Sequence, residues 1–284
     1  MGVVPTELFF AVLFALAVEG VPTSLTANEH PWGRFQQNSW CIVQTVTISN
    51  VGGRAVQSTQ TVRTTLKSID ETGVTLEQLE AFELGGRAIE RQTQTVKFDF
   101  FQEPIQENVR ITQGQPTKLM INKNVVPCAV RIYEQPMSSG HLTTTVWYTP
   151  HVYPHVLRVE RVLRSSANGD GAGSQIIRQS VTVVQETSAL RGIRSNRRNR
   201  TYSLQTIETV GNITKITDAR CSWDVPGGLL ESTTREFDAQ NREIRRSASR
   251  MTNYSLHEAT PVGLPQRSNR TRVLVETMNY HPGG

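Results

Sequence analysis

Apolar and polar side chains alternate along most of the chain, and Gly, Pro, Asn or Asp residues interrupt the alternation at short intervals. The segment Trp40–Ser49 reads WCIVQTVTIS and is followed by Gly52-Gly53, which is typical of a β-strand that ends in a hairpin turn. The same reasoning predicts strands over Thr59–Ile69, Val74–Leu84, Gln92–Phe101, Val125–Glu134, Gln175–Thr187, Thr201–Val210, Ile213–Trp223, Leu229–Phe237 and Ile244–Tyr254. A further strand is predicted over Arg270–Thr277.

Two segments interrupt this pattern. In Val74–Leu84 the apolar residues also have helical spacing, but the strong turn signals on both sides favour a strand. Gln102–Lys123 contains two prolines and a glycine, so we expect it to be irregular. Little room is left for the helices that connect parallel strands. The sequence therefore predicts a mainly β protein with one curved antiparallel sheet, a half-barrel or open barrel built from related hairpins.

A hairpin pattern recurs along the chain. The stretch Thr143–Leu163, TTTVWYTPHVYPHVLRVERVL, is echoed by Ala219–Phe237, ARCSWDVPGGLLESTTREF. Each copy predicts a strand that ends in Trp, a proline turn and a second strand. Trp147 and Leu157 in the first copy correspond to Trp223 and Leu230 in the second. We expect these four side chains either to line a ligand cavity or to pack in the core beside a turn.

The N-terminal stretch Leu8–Val18, LFFAVLFALAV, has the length of a signal-peptide core and is too short to span a bilayer. Gly20 or Ala27 is expected to precede the cleavage point, although no Lys or Arg precedes the apolar core. The predicted organisation is a signal peptide over 1–27, a β domain over 28–257 with halves at 40–187 and 201–257, and a C-terminal segment over 258–284. The mature protein is expected to be exported, periplasmic or extracellular, without a membrane span.

Charge and cysteine content add two expectations. The net charge is +5, and removing residues 1–27 takes away two glutamates and no Lys or Arg, which makes it +7. This excess favours anionic partners, or it only keeps the protein soluble. The three cysteines form no C-x-x-C pair, which argues against zinc ribbons and redox motifs. Cys128 and Cys221 either form a disulfide between the predicted halves or remain buried thiols like Cys41.

No catalytic or metal-binding pattern stands out. G-x-S-x-G is absent, and His151 and His155 are separated by a proline that prevents a helical metal pair. Pro226-Gly227-Gly228 lacks the Lys and the helix of a phosphate loop. We therefore predict no enzyme activity, no metal and no cofactor. An envelope hydrolase remains a third hypothesis, which would require a His and a nucleophile that meet in one pocket.

An arginine cluster lies between the two hairpin copies. Guanidinium groups suit phosphate and sulfate, so this loop is a candidate contact for an anionic polymer of the cell envelope. No aromatic residues alternate with the arginines, which argues against nucleic acid. The alternative is a solvated loop between two parts of the sheet. The arginines are Arg191, Arg194, Arg197, Arg198 and Arg200.

The signal segment, the strand meander and the W-Y-x-P…P-x-V-L-R hairpin at Trp147–Arg158 resemble uncharacterised exported bacterial proteins. In architecture the chain resembles the periplasmic lipoprotein-carrier group, over about Trp40–Tyr254. That resemblance implies a curved half-barrel whose apolar concave face accommodates acyl chains, and it transfers no individual binding residue. The leading hypothesis is thus non-catalytic binding of a lipid or other amphiphile. The alternative is an envelope interaction module that uses the arginine loop.

Overall fold

The computed structural model describes residues 24–51, 54–84, 87–165, 174–190 and 200–256. These residues form thirteen β-strands and two single-turn 3-10 helices, at Ala27–Glu29 and Ser188–Leu190. The strands are β1 Trp40–Val51, β2 Arg54–Ile69, β3 Val74–Leu84, β4 Arg87–Phe98, β5 Arg110–Ile121, β6 Asn124–Met137, β7 Gly140–Tyr148, β8 Val156–Ser165, β9 Ile176–Thr187, β10 Thr201–Val210, β11 Ile213–Ser222, β12 Leu229–Phe237 and β13 Glu243–Ser255.

All thirteen strands belong to one antiparallel sheet, in the order β4-β3-β2-β1-β13-β12-β11-β10-β9-β8-β7-β6-β5. The sheet is curved and does not close into a barrel, which confirms the predicted fold class. Val74–Leu84 is a strand, as predicted. The segment predicted to be irregular contains β5, which lies at one edge of the sheet. An edge strand tolerates Pro116 because one side of its backbone needs no partner, and its pairing with β6 shifts register after Gly114.

The two predicted halves are parts of the same sheet. β1 pairs with β13 along most of its length, from Trp40 opposite Ser255 to Ser49 opposite Arg245. Every other pairing joins strands that follow one another in the sequence. The predicted last strand at Arg270–Thr277 and the signal segment up to residue 23 lie outside the described residues.

A short connection, residues 99–109, joins β4 at one edge of the sheet to β5 at the opposite edge. We call this connection the strap. Its eleven residues reach at most about 40 Å, whereas twelve strand spacings measure about 58 Å along the sheet. The sheet must therefore curl so that its two edges approach each other, and β5 in addition approaches β9.

Two apolar clusters fill the concave face where the strap crosses it. The first joins β6, β7 and β8 and includes Tyr148 and Val159, and the second joins β1, β2, β3 and β13 and includes Leu66 and Met251. Phe100 of the strap packs against both clusters, although many strands separate them in the sheet. The face of the sheet that carries these two clusters is therefore the concave face.

The segment before β1 also spans the two clusters. Leu25 is buried in the first cluster and Trp32 in the second. Between them Thr26 and Glu29 form a reciprocal capping box around the first 3-10 helix. Cleavage after Ala27 would remove Leu25 and Thr26 from this packing, whereas cleavage after Gly20 would keep them.

Because neighbouring strands are antiparallel, their ends fall into two groups. We call the end with loops 70–73, 149–155 and 223–228 the filled end, since the two clusters and the segment before β1 pack near it. The opposite end, with turns 138–139, 211–212 and 238–242, is called the rim end. A ligand that enters the concave face is therefore expected to come from the rim end.

A third cluster lies on the other face of β6 and β7. Cys128 belongs to it while the next residue, Ala129, belongs to the first cluster, and side chains of consecutive strand residues point to opposite faces. Cys41, Cys128 and Cys221 are all buried free thiols, so the alternative of a Cys128–Cys221 disulfide is wrong. Burial raises the pKa of Cys41 to about 12 and those of Cys128 and Cys221 to about 11, so all three stay protonated.

Candidate functional site: the concave face

A row of hydroxyl groups crosses the concave face between the two apolar clusters. Seven neighbouring strands, from β2 to β9 in sheet order, each place one Ser or Thr in the same register row. The row then continues into Val159 and Val146 of the first cluster, which places it on the concave face. Its members are Ser58, Thr47, Ser247, Thr234, Thr217, Thr206 and Thr182.

The hydroxyl groups of this row bond to one another in pairs. Thr47 and Ser247, Thr217 and Thr234, and Thr182 and Thr206 are each joined by a hydrogen bond of 2.9 Å. Each hydroxyl in such a pair keeps unused acceptor capacity, because its oxygen has two lone pairs. Six strand spacings give the row a width of about 29 Å. Apart from Thr47, which is buried, the row is therefore a broad surface that can donate and accept hydrogen bonds.

A charged row lies two residues closer to the rim end. Glu208, Lys215, Glu236 and Arg245 stand opposite one another on β10, β11, β12 and β13, with alternating sign. Lys215 lies 3.7 Å from Glu208, and Arg245 lies 3.9 Å from Glu236. We call the hydroxyl row and this charged row together the polar band. The concave face between the two clusters is thus polar, in contrast to the continuous apolar face that the resemblance implies.

Large apolar side chains are exposed on the concave face near the rim end. On β10 and β11 they lie beyond the polar band, whereas on β2 and β3 they lie beside it, since Leu84 stands opposite Ser58 of the hydroxyl row. Val210 and Ile213 stand opposite each other next to turn 211–212, and each is 44 % exposed. Four others lie near strand ends on the same face. We call the six the apolar rim: Val56, Phe82, Leu84, Met137, Val210 and Ile213. A strand rise of about 3.3 Å puts Val210 about 7 Å beyond Glu208.

The strap covers the part of the concave face that β6, β7 and β8 form. The Tyr133 hydroxyl donates to Asp99 at 2.5 Å, and the Arg161 guanidinium donates to Glu103 at 2.5 Å. The guanidinium of Arg131 lies over the Phe101 ring, 4.4 Å from its centre. Burial raises the pKa of Glu103 to about 7, even though Arg161 opposes the shift. The part of the concave face that the strap leaves uncovered is therefore the part that carries the polar band.

The four predicted ligand-binding residues do not lie together. Trp147 and Leu157 are in the third cluster, and Arg158 stacks on Trp147 at 4.8 Å. Leu230 packs against the second cluster. Trp223 is buried at the filled end. All four therefore contact hydrophobic clusters or loops, and none belongs to the polar band or the apolar rim.

The loops of the two similar hairpins contact each other at the filled end. The Trp223 ring lies 5.2 Å from the His155 ring and 6.2 Å from the Tyr153 ring, measured between centres. Nδ1 of His155 lies 3.2 Å from the Thr149 carbonyl oxygen, and burial lowers the pKa of His155 despite that contact. Trp223 of one hairpin and the loop residues Tyr153 and His155 of the other thus form a packed junction.

Of the predicted anion-binding arginines, Arg191, Arg194, Arg197 and Arg198 lie outside the described residues. Arg200 is half-buried at the start of β10, and its carbonyl oxygen accepts a hydrogen bond from Trp223 N–H at 2.9 Å. Contact of this loop with an anionic polymer stays a prediction.

Other places in the described part of the chain are weaker candidates for a binding site. A cavity of about 140 Å³ next to Thr187, Tyr202 and Arg220 is smaller than the usual binding pocket. The described residues contain no group of three His, Cys, Asp or Glu side chains that could hold a metal ion. Among the same residues, no helix combines the length and the apolar character that crossing a bilayer requires.

Sequence reasoning missed the polar band because its members are far apart in the chain. The signal was present as hydroxyl residues at every second position, as in Thr45 and Thr47 or Ser247 and Ser249. Only the register of seven strands shows that they form one surface.

Comparison with protein-family models and curated proteins identifies no relative of the chain. No protein-family model matches the chain, and no curated protein matches its sequence.

Proposed function

We propose that this protein is an exported, non-catalytic binding protein that holds a lipid or other amphiphile on its concave face. The observation that carries the proposal is the order of chemistry along that face. On β10 and β11 the hydroxyl and charged groups lie in the middle of the face, and the exposed side chains of Val210 and Ile213 follow toward the rim end. An amphiphile presents the same two chemistries in one molecule.

The polar part of the ligand faces the polar band, and its apolar part extends to the apolar rim. Hydrogen bonds to the hydroxyl row and to the charged row orient the polar part. Covering Val210, Ile213 and Leu84 removes apolar surface from water, at about 25 cal/mol per Å². This arrangement differs from a carrier that buries a whole acyl chain, because the filled end is occupied by the protein's own core.

Two substitutions on β12 test the proposal. Thr234→Arg places a long charged side chain in the middle of the concave face, and Thr233→Arg places the same side chain on the opposite face. A fluorescent fatty acid is titrated against the wild type and both variants, and native mass spectrometry identifies any amphiphile that copurifies. We expect Thr234→Arg to weaken binding at least about tenfold, by filling space that the ligand needs.

Thr233→Arg should bind the fatty acid as the wild type does. Equal affinities in all three proteins would place the binding elsewhere and contradict the proposal, as would a wild type that neither takes up the fatty acid nor carries an amphiphile.

A further inference from the structure

Exposed arginines surround the apolar rim. Each lies in a turn at the rim end or within a few residues of a strand terminus there. They are Arg54, Arg110, Arg164, Arg178, Arg242, Arg245 and Arg246. Among the described residues, Arg54 and Arg164 have no ion pair. The rim end thus combines exposed apolar side chains with long cationic ones.

The ion pairs at the rim end place the positive charge outermost. In the pair of Arg242 with Asp238 the arginine side chain is 74 % exposed and the aspartate 19 %. Arg110, Arg178, Arg245 and Arg246 are likewise more exposed than the carboxylates they contact. At the filled end the difference in exposure is smaller for Lys67 and Glu77, at 43 % and 37 %, and it is reversed for Lys97 and Asp70, at 35 % and 48 %. A surface that approaches the rim end therefore meets guanidinium groups first.

We propose that the rim end docks on an anionic lipid bilayer. The apolar rim enters the boundary between headgroups and acyl chains, and the surrounding arginines bind lipid phosphates. Long arginine side chains suit this position, because their apolar stems lie along the rim while their charged ends reach the phosphates. A second copy of the chain is a poorer occupant, since a rim-to-rim contact would bring arginines of both copies together.

This inference rests on the proposed function, since it names the surface through which an amphiphile would be exchanged. Docking would place the concave face open toward the lipid, with Glu208 and Thr206 of the polar band about 7 and 13 Å behind Val210 along β10.

Vesicle flotation tests the inference with matched variants. The rim variant is Val210→Asp with Ile213→Asp, and the control is Met120→Asp with Val125→Asp. Met120 and Val125 are more exposed, at 74 % and 59 %, but lie beside turn 122–123 at the filled end. We expect the wild type and the control to float with phosphatidylcholine–phosphatidylglycerol vesicles, and the rim variant to bind at least about tenfold more weakly. Binding should also weaken with added salt and on phosphatidylcholine alone.

The inference is overturned if the wild type fails to float with anionic vesicles, or if the two variants lose binding equally. A wild type that forms dimers which only the rim variant disrupts would also overturn it. Circular dichroism checks the fold, and Leu84→Asp on β3 replaces the rim variant should that variant not fold. The fluorescent fatty acid separates the two proposals, since a protein that binds it without floating contradicts only the docking, and one that does not bind it contradicts the proposed function.

Discussion

The buried carboxylate of Glu103 joins the strap to the concave face through Arg161. Its pKa is raised from the ordinary 4.5 to about 7, because burial penalises the charged form more than Arg161 favours it. The folded state therefore binds a proton that the unfolded chain releases between these two values. The resulting contribution to stability is complete below pH 4.5 and is lost as the pH rises through 7.

Replacing Glu103 with Gln should remove this pH dependence. Between pH 4.5 and pH 8 the wild type should lose about 3 kcal/mol of unfolding free energy relative to Glu103→Gln. Urea unfolding at both pH values measures the difference. Glu231→Gln is the control, since Glu231 forms a more exposed pair with Arg220 and should track the wild type. A Glu103→Gln protein whose stability runs parallel to the wild type would contradict the assignment.

At the scale of single elements, loop 223–228 connects the filled end to the segment before β1. Gly227 has a φ of +74°, and a Cβ atom there would lie 3.1 Å from the Trp32 ring. Gly211, in the turn between β10 and β11, has a φ of +55° but no atom near its Cβ position. The two glycines share a left-handed backbone and differ in crowding.

Alanine substitutions separate these two effects. Gly211→Ala should cost about 1 kcal/mol of unfolding free energy for the left-handed conformation alone. Gly227→Ala should cost about 3 kcal/mol, because Trp32 must also move within a packed cluster. Chemical unfolding measures both, and Trp fluorescence should change in Gly227→Ala. Equal costs would show that the contact with Trp32 is unimportant.

Strands and turns could be predicted from sequence, whereas the candidate functional surface could not. Thr201–Val210 and Leu229–Phe237 match their predicted limits, because alternation and turn residues are local signals. β5 was missed because Gly114 and Pro116 interrupt its pattern, and an edge strand accepts both. The tryptophans stood out by residue type, yet they pack in clusters and loops. The hydroxyl row depends on long-range register, which local patterns do not contain.

At the scale of the whole molecule, the single sheet makes the two predicted halves dependent on each other. β1 and β9 would each lose a neighbouring strand in a fragment that stops before β10. The second cluster would lose Val225 and Met251. Such a fragment would expose both apolar side chains and unpaired strand edges.

We therefore expect residues 24–187 alone not to fold. Urea unfolding followed by circular dichroism should show no cooperative transition for the fragment and a single one for residues 24–256. Dispersed amide resonances in the fragment, with a sigmoidal unfolding curve, would show that the first half is an independent domain.

The pairing of β1 with β13 also determines the order in which the molecule can be completed. Strand β1 is synthesised first among the thirteen, and the partner on its far side is synthesised last. Every other neighbour is available as soon as the next hairpin emerges. Until β13 has been synthesised, β1 therefore presents an open edge that can pair with other chains. A factor that shields this edge is therefore expected to raise the yield of folded protein.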